Sequence, residues 1–196
     1  MTKKAFDAVR KVQSETGYFT EYKSKDETPE AIVKHLISLL PLERADFVID
    51  AGSGKNKVWF RNIPTERKDE YEIEDGGRNF LEFDGRADWV IGNPPFREYI
   101  RFCYHCCDHC NKGFAFMINH MRLNQLTTKR LADFEARGFF LSGIHIFDVK
   151  AWFGRYYFLT FTRRKSSDIS YSRKIETAAK PIPPTDKSVG ILGVIL

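Results

Sequence analysis

Long apolar runs are missing from this chain of 196 residues. No stretch reaches the roughly 18 apolar residues that cross a bilayer, and the charged start, Met1 to Lys4, carries no apolar segment of a secretory signal. A membrane span is therefore excluded, and the expected location is the cytoplasm. Cysteine is scarce: four residues fall between Cys103 and Cys110, too crowded for the spread disulfide framework of a secreted scaffold. No internal repeat is present, which excludes a solenoid or propeller. Neither sign of charge dominates. Lys and Arg number 31 against 26 Asp and Glu, a net +5 with pI near 9.0, a weak lean towards a polyanionic partner. A hydrophobic content of 42% suffices for the core of one domain.

The most informative stretch is Asp88-Trp89-Val90-Ile91-Gly92-Asn93-Pro94-Pro95-Phe96. It begins as the apolar, β-branched run of a buried strand and breaks into Asn-Pro-Pro and an aromatic. Two prolines fix φ and remove two backbone donors, so the chain leaves the sheet as a rigid, extended loop. In open α/β sheets, ligands bind at that end of the strands. The loop offers the carbonyl oxygens of Asn93 and Pro94 to the two N–H hydrogens of an amine, and Phe96 to a planar ring.

Ahead of this stretch, Phe6, Val9 and Val12 recur at helical spacing, predicting a short helix followed by an aromatic loop. Thr28-Pro29-Glu30 predicts a helix start with Thr28 as N-cap, Ile32, Val33, Leu36, Ile37 and Leu40 give that helix its apolar face, and Pro41 ends it. Phe47 to Asp50 predicts a buried strand, and Ala51-Gly52-Ser53-Gly54 the tight turn after it, where a ligand can approach the backbone. The turn lacks the Gly-Lys-Ser/Thr ending of a phosphate-binding loop and the full Gly-x-Gly-x-x-Gly fingerprint. Tyr71 to Glu74 predicts a second short strand ending in acids. Either Glu72 or Glu74 could then reach ribose hydroxyls, with Glu72 preferred over a solvated acidic edge.

The Thr-Pro helix, the Asp50-to-Gly54 loop and, about forty residues on, Asn93-Pro94-Pro95-Phe96 occur in the order seen in a known family. Over roughly residues 17 to 164 the chain resembles the S-adenosylmethionine-dependent N6-adenine DNA methyltransferases. The resemblance implies an α/β fold, a Rossmann-like three-layer class I methyltransferase domain with a C-terminal antiparallel hairpin, and the catalytic loop at the fourth strand. It implies Asn93, Pro94, Pro95 and Phe96 as catalytic, and Thr28, Asp50, Gly52, Gly54, Glu72, Asn79, Phe80 and Asn93 as binding the cofactor S-adenosyl-L-methionine. Asn79 stands where the family usually carries Asp. No metal is implied. Partners would be DNA or RNA, with a recognition subunit or a second copy supplying sequence readout, in a restriction-modification or phage setting. RNA adenine, protein glutamine and a non-catalytic nucleic-acid-binding shell are the alternatives.

Beyond the loop, Tyr99 to Cys110 predicts a helix with Cys103, Cys106, Cys107 and Cys110 on one face. Core thiols are the simpler reading. Cys-x-x-Cys spacing keeps metal ligation as an alternative, although no second pair follows. Phe114 to Ile118 predicts a strand, and Thr128 to Arg137 a charged helix closed by Gly138. Phe139 to Phe147 and Tyr156 to Thr162 predict the hairpin, which makes His145 structural. Arg97, Arg101, Arg122, Lys129 and Arg130 are candidates for a polyanion. The methyltransferase domain is drawn as 1–164, and 165–196 as a basic, Pro-rich tail with an apolar terminus.

Overall fold

The computed structural model describes residues 28–74, 77–149, 152, 154–166 and 168–172. The helix expected around Phe6 to Val12 and the tail beyond 172 lie outside them. A seven-stranded sheet runs β2-β1-β3-β4-β6-β5-β7. Its strands are β1 (Phe47–Ala51), β2 (Arg67–Tyr71), β3 (Ala87–Gly92), β4 (Cys110–Asn119), β5 (Phe140–Asp148), β6 (Arg155–Thr162) and β7 (Asp168–Ser172). The first four in spatial order are parallel; β6 is antiparallel to both β4 and β5, and β7 pairs parallel with β5.

Alternation along the strands builds two cores. On one face Val48, Trp89, Ile91, Ala115, Met117 and Phe158 pack under α1 (Glu30–Ser38) and α2 (Val58–Asn62). On the other, Ile49, Val90, Phe114, Phe116 and Phe161 pack under α3 (Tyr99–His109) and Phe134 of α5 (Thr128–Ala136). The short α4 (His120–Leu123) caps the end of β4. The result is three layers, an α/β Rossmann-like fold closed by the expected C-terminal antiparallel hairpin of β5 and β6. Among the described residues, no helix is long and apolar enough to cross a membrane.

Several expectations are corrected. The second strand is Arg67–Tyr71, so Tyr71 ends it rather than begins it. The acidic stretch after Tyr71 forms no strand, and residues 80–82 form a single 3-10 turn. The Asn-Pro-Pro loop therefore follows the third described strand, not the fourth. Thr28 does not cap α1: Pro29 holds the N-cap position with no side-chain cap, and the helix ends at Ser38, before Pro41. In the stretch read as a basic, Pro-rich tail, Asp168–Ser172 adds a strand to the sheet.

From β1 the chain crosses through α2 to β2 on one side, then returns as β3 on the other. The loops after β1 and β3 thus face each other at the switch point of the sheet, where an open α/β sheet leaves a crevice.

Candidate active site

The turn after β1 is strapped to the end of β2. Gly52 and Ser53 both donate their backbone N–H to the Tyr71 carbonyl, at 2.8 and 3.0 Å. Ser53 Oγ donates to Glu70 Oε2 and Lys57 Nζ to Glu70 Oε1, both at 2.6 Å, while the Gly54 N–H donates to Glu72 Oε2 at 2.8 Å. Partial burial would raise the Glu70 carboxyl, but its bonds to Lys57 and Ser53 outweigh that and hold it below the usual range. Gly52 sits at φ +82, and a Cβ there would lie 3.3 Å from Pro95 Cδ and 3.5 Å from Pro94 Cα. The two loops touch.

Asp50, the penultimate residue of β1, is fully buried. Its Oδ2 accepts the Phe60 N–H at 2.9 Å, while Oδ1 has no hydrogen-bond partner among the described residues. Burial, reinforced by the charges of Glu70 and Glu72, pushes its carboxyl well above the usual range against the opposing Phe60 N–H. Gly92 ends β3 at φ +144, and a Cβ there would stand 2.9 Å from both Asp50 Oδ1 and the Ala51 carbonyl. Only glycine lets the strand pass this close.

Asn93 follows directly. Its Nδ2 donates to Thr28 Oγ1 at 3.5 Å, and the same oxygen accepts the Trp59 indole N–H at 3.3 Å. Asn93 Oδ1 is buried with no hydrogen-bond partner among the described residues. Pro94 is buried, Pro95 exposed and Phe96 half-buried at the start of a turn that leads into α3.

Between these loops and the end of β2 lies a cleft of about 310 Å³. Of the residues singled out in the sequence, Gly52, Glu72, Asn79, Phe80 and Pro95 line it; Thr28, Asp50, Gly54, Asn93, Pro94 and Phe96 are not among the lining residues. Glu72 Oε1 accepts the Glu74 N–H at 3.0 Å, so each carboxylate oxygen holds one backbone donor and keeps a second acceptor site. Asn79 Oδ1 accepts the Leu81 N–H at 3.0 Å and caps the 3-10 turn, while its Nδ2 donates to Glu82 at 3.2 Å. Phe80 is 2% exposed and sets its ring against Tyr71 and Phe102. Arg78 stacks on Tyr71 at 4.3 Å while held by Asp69.

No protein-family model and no curated protein matches the sequence. Solved structures do match. A protein from Listeria monocytogenes assigned as a class I S-adenosylmethionine-dependent methyltransferase superposes with a TM-score of 0.58 at 9% identity, covering 84% of this chain and 71% of its own. The chain has a class I methyltransferase fold. Two further methyltransferase structures align with it. One, from Pyrococcus horikoshii, is assigned as an RNA methyltransferase (TM-score 0.54, 16% identity, 74% of this chain and 90% of that one). The M protein of the type I restriction enzyme EcoKI aligns with a TM-score of 0.53 at 17% identity, over 72% of this chain but 44% of its own.

Within this methyltransferase fold, sequence reading missed three residues. Glu70 clamps the glycine turn from an edge strand whose Arg-Lys-Asp-Glu sequence has no apolar alternation. Gly92 carried a signal, a glycine directly before the loop, and Trp59 an apolar triplet just after the glycine turn.

The other candidates fall away from the cleft or sit at its rim. Arg101 lines the cleft and pairs with Glu98 at 2.6 Å; Arg130 donates to the Gln125 carbonyl at 2.6 Å. Arg97 and Lys129 are exposed, and Arg122 is half-buried. All four cysteines are buried free thiols in the core of the α3 face. Burial raises the Cys103 and Cys106 thiols and pushes Cys107 up to about 12, which keeps them neutral and poorly nucleophilic. His145 is a packed residue of β5, with Nε2 3.3 Å from His35 Nε2 and Nδ1 2.7 Å from Ser170 Oγ.

Proposed function

We propose that this chain transfers a methyl group from S-adenosylmethionine to the exocyclic N6 amine of adenine in DNA. The reading is carried by the Oδ1 of Asn93, buried and without a partner among the described residues, beside Pro94 at the carboxyl end of β3. A buried acceptor left without a donor costs about 1–3 kcal/mol. An amine with two N–H hydrogens satisfies it and finds its second acceptor in the Pro94 carbonyl. Accepting from both hydrogens turns the nitrogen lone pair out of conjugation with the ring. The same two oxygens then stabilise the positive charge that develops on nitrogen. Prolines 94 and 95 hold the loop rigid, so the acceptors are placed before the amine arrives. The target base must leave its stack to reach them, and Phe96 is its stacking platform.

S-adenosylmethionine supplies a methyl carbon already activated by its sulfonium. The residues present fit it. The cleft lies at the switch point, and Gly52 leaves open the space that a Cβ would fill against Pro95. In this reading Glu72 accepts from ribose hydroxyls, and Asn79 and Phe80 flank the adenine. Gly52 and Gly54, in the turn that follows Asp50, meet the methionine portion. Thr28 Oγ1 already accepts two N–H groups, so its own hydrogen is left to donate to the amino-acid end.

The likeness to the M protein of a type I restriction enzyme supports DNA as substrate and a partner subunit or second copy for sequence readout. The likeness to an RNA methyltransferase supports RNA adenine as the second reading. The test incubates the protein with labelled S-adenosylmethionine and unmethylated DNA, RNA or a protein extract, and identifies the modified nucleoside or residue. N6-methyladenine in DNA, lost in Asn93→Ala, is the expected result. Label in RNA or protein alone overturns the substrate, and no transfer with no cofactor binding overturns the activity.

A further inference from the structure

Asn93 does not stand alone. Its amide ends a hydrogen-bonded chain that starts on a different element and crosses the helical layer. Trp59 lies in α2, 2% exposed, with its ring stacked on Phe158 at 5.8 Å. Its indole N–H reaches Thr28 Oγ1 at 3.3 Å, and Thr28 Oγ1 accepts Asn93 Nδ2 at 3.5 Å. Thr28 is itself only 4% exposed, so water does not compete for this oxygen.

We infer that Trp59 is a positioning residue for the transfer proposed above: through Thr28 it fixes the Asn93 amide with Oδ1 turned to the acceptor amine. The inference rests on that reading. An indole N–H donates and cannot accept, so on that side the Thr28 oxygen can only accept. This anchors the Thr28 side chain and holds its second lone pair towards Asn93. A carboxamide is nearly symmetric in shape but opposite in chemistry at its two ends. Inverted, it would present N–H groups to an amine that also presents N–H groups, donor against donor. Removal of the indole donor frees the Thr28 hydroxyl to turn and donate to Asn93 Oδ1, which draws the oxygen away from the site.

The same helix carries a second link. The backbone N–H of Phe60, next to Trp59, holds Asp50 Oδ2. The glycine turn runs directly into α2 through Lys57 at φ +51. The segment that would embrace the cofactor therefore also sets the amide that would receive the substrate.

A second buried tryptophan provides the control. Trp89 lies in the same core cluster, but its indole nitrogen has no hydrogen-bond partner among the described residues. Trp59→Phe and Trp89→Phe each remove one indole from that core, and only the first removes the link to Thr28. Full-length wild type and both variants are compared by steady-state methyl transfer and by the 15N–1H resonances of the Asn93 side-chain amide, assigned by their loss in Asn93→Asp.

In Trp59→Phe, kcat is expected to fall about tenfold, with KM for nucleic acid and cofactor Kd within about twofold. The Asn93 amide resonances shift and exchange faster with solvent. In Trp89→Phe both readouts stay near wild type. If Trp59→Phe fails to fold, Thr28→Val removes the hydroxyl in place and must move the same resonances. Unmoved Asn93 resonances in Trp59→Phe, or equal shifts in both tryptophan variants, overturn the inference. If wild type transfers no methyl group, the proposed activity fails, while the resonance comparison still decides whether Trp59 sets the amide.

Discussion

Phe60 donates its backbone N–H to one carboxyl oxygen of Asp50 at 2.9 Å, and the other oxygen is buried against Gly92 with no partner among the described residues. One backbone donor is thus set against full burial and two nearby acids, and burial wins. A carboxyl so placed favours its neutral form.

The consequence for stability has a definite sign. The folded state holds the Asp50 proton to higher pH than the unfolded chain, whose carboxyl titrates near pH ~3.9. Above that value the folded protein binds more protons, so this group's contribution to stability falls as pH rises towards the raised folded value. Asn at position 50 keeps an acceptor for the Phe60 N–H and removes the charge. Asp50→Asn is expected to be stabilised by about 1 kcal/mol at pH 7, or ~2–4 °C in Tm, and to lose that advantage below about pH 4. Thermal melts of both proteins across pH 4–8 decide it; an advantage unchanged with pH would contradict a titrating Asp50.

Much of this architecture is legible in residue order, for physical reasons that differ by element. Strands β1, β3 and β4 are buried on both faces and so read as apolar runs, which no helical or loop assignment fits. The Asn-Pro-Pro loop is legible because two prolines leave few backbone alternatives. Strand β2 is an edge strand of charged residues held by Phe47↔Arg67 to Ala51↔Tyr71 pairing, so its stabilisation comes from a neighbour rather than from its own pattern. Strand β7 is equally polar, with Ile169 exposed, and exists through its register with β5. Thr28 misled as an N-cap because the helix-start pattern is local, whereas its hydroxyl is claimed by Trp59 and Asn93, 31 and 65 residues away in sequence.

Acid sensitivity follows from two histidines. Burial, with help from His109, lowers the basicity of His105; burial, with help from His35, lowers that of His145. Both stay neutral in the folded protein at pH values where the unfolded chain, titrating near ~6.5, takes up protons. Stability is therefore expected to fall as pH drops from about 6.5 towards the lowered values. The double variant His105→Gln/His145→Gln should show a flatter Tm profile between pH 7 and 5 than wild type. Parallel profiles would contradict the assignment.

Under the proposed function, Asn93 is expected to separate function from stability. Among the described residues its Oδ1 has no partner and its amide nitrogen makes one long bond at 3.5 Å, so truncation removes an unsatisfied acceptor and little else. Asn93→Ala is expected to keep its Tm within about 2 °C of wild type while transfer falls about 100-fold or more at saturating cofactor. A large loss of Tm with modest loss of transfer would mark Asn93 as a packing residue.

The two glycines at the loop contacts are expected to fail in different ways. At Gly52, φ +82 costs a side chain roughly 1–2 kcal/mol, and the added Cβ meets Pro95 Cδ at 3.3 Å, the far edge of an exposed ring on the cleft wall. That contact can yield, so Gly52→Ala should fold, lose ~3–6 °C in Tm and bind cofactor at least tenfold more weakly. At Gly92 the Cβ would stand 2.9 Å from a backbone carbonyl and from the buried carboxylate of Asp50, within the sheet itself. Neither oxygen can withdraw without breaking the close passage of β1 and β3, so Gly92→Ala should cost more stability than Gly52→Ala. Melting curves and cofactor titrations of the two variants test the ordering. Equal losses of stability would mean that the glycine turn is as firmly packed as the sheet, which would contradict the proposal that it is the yielding wall of a ligand cleft.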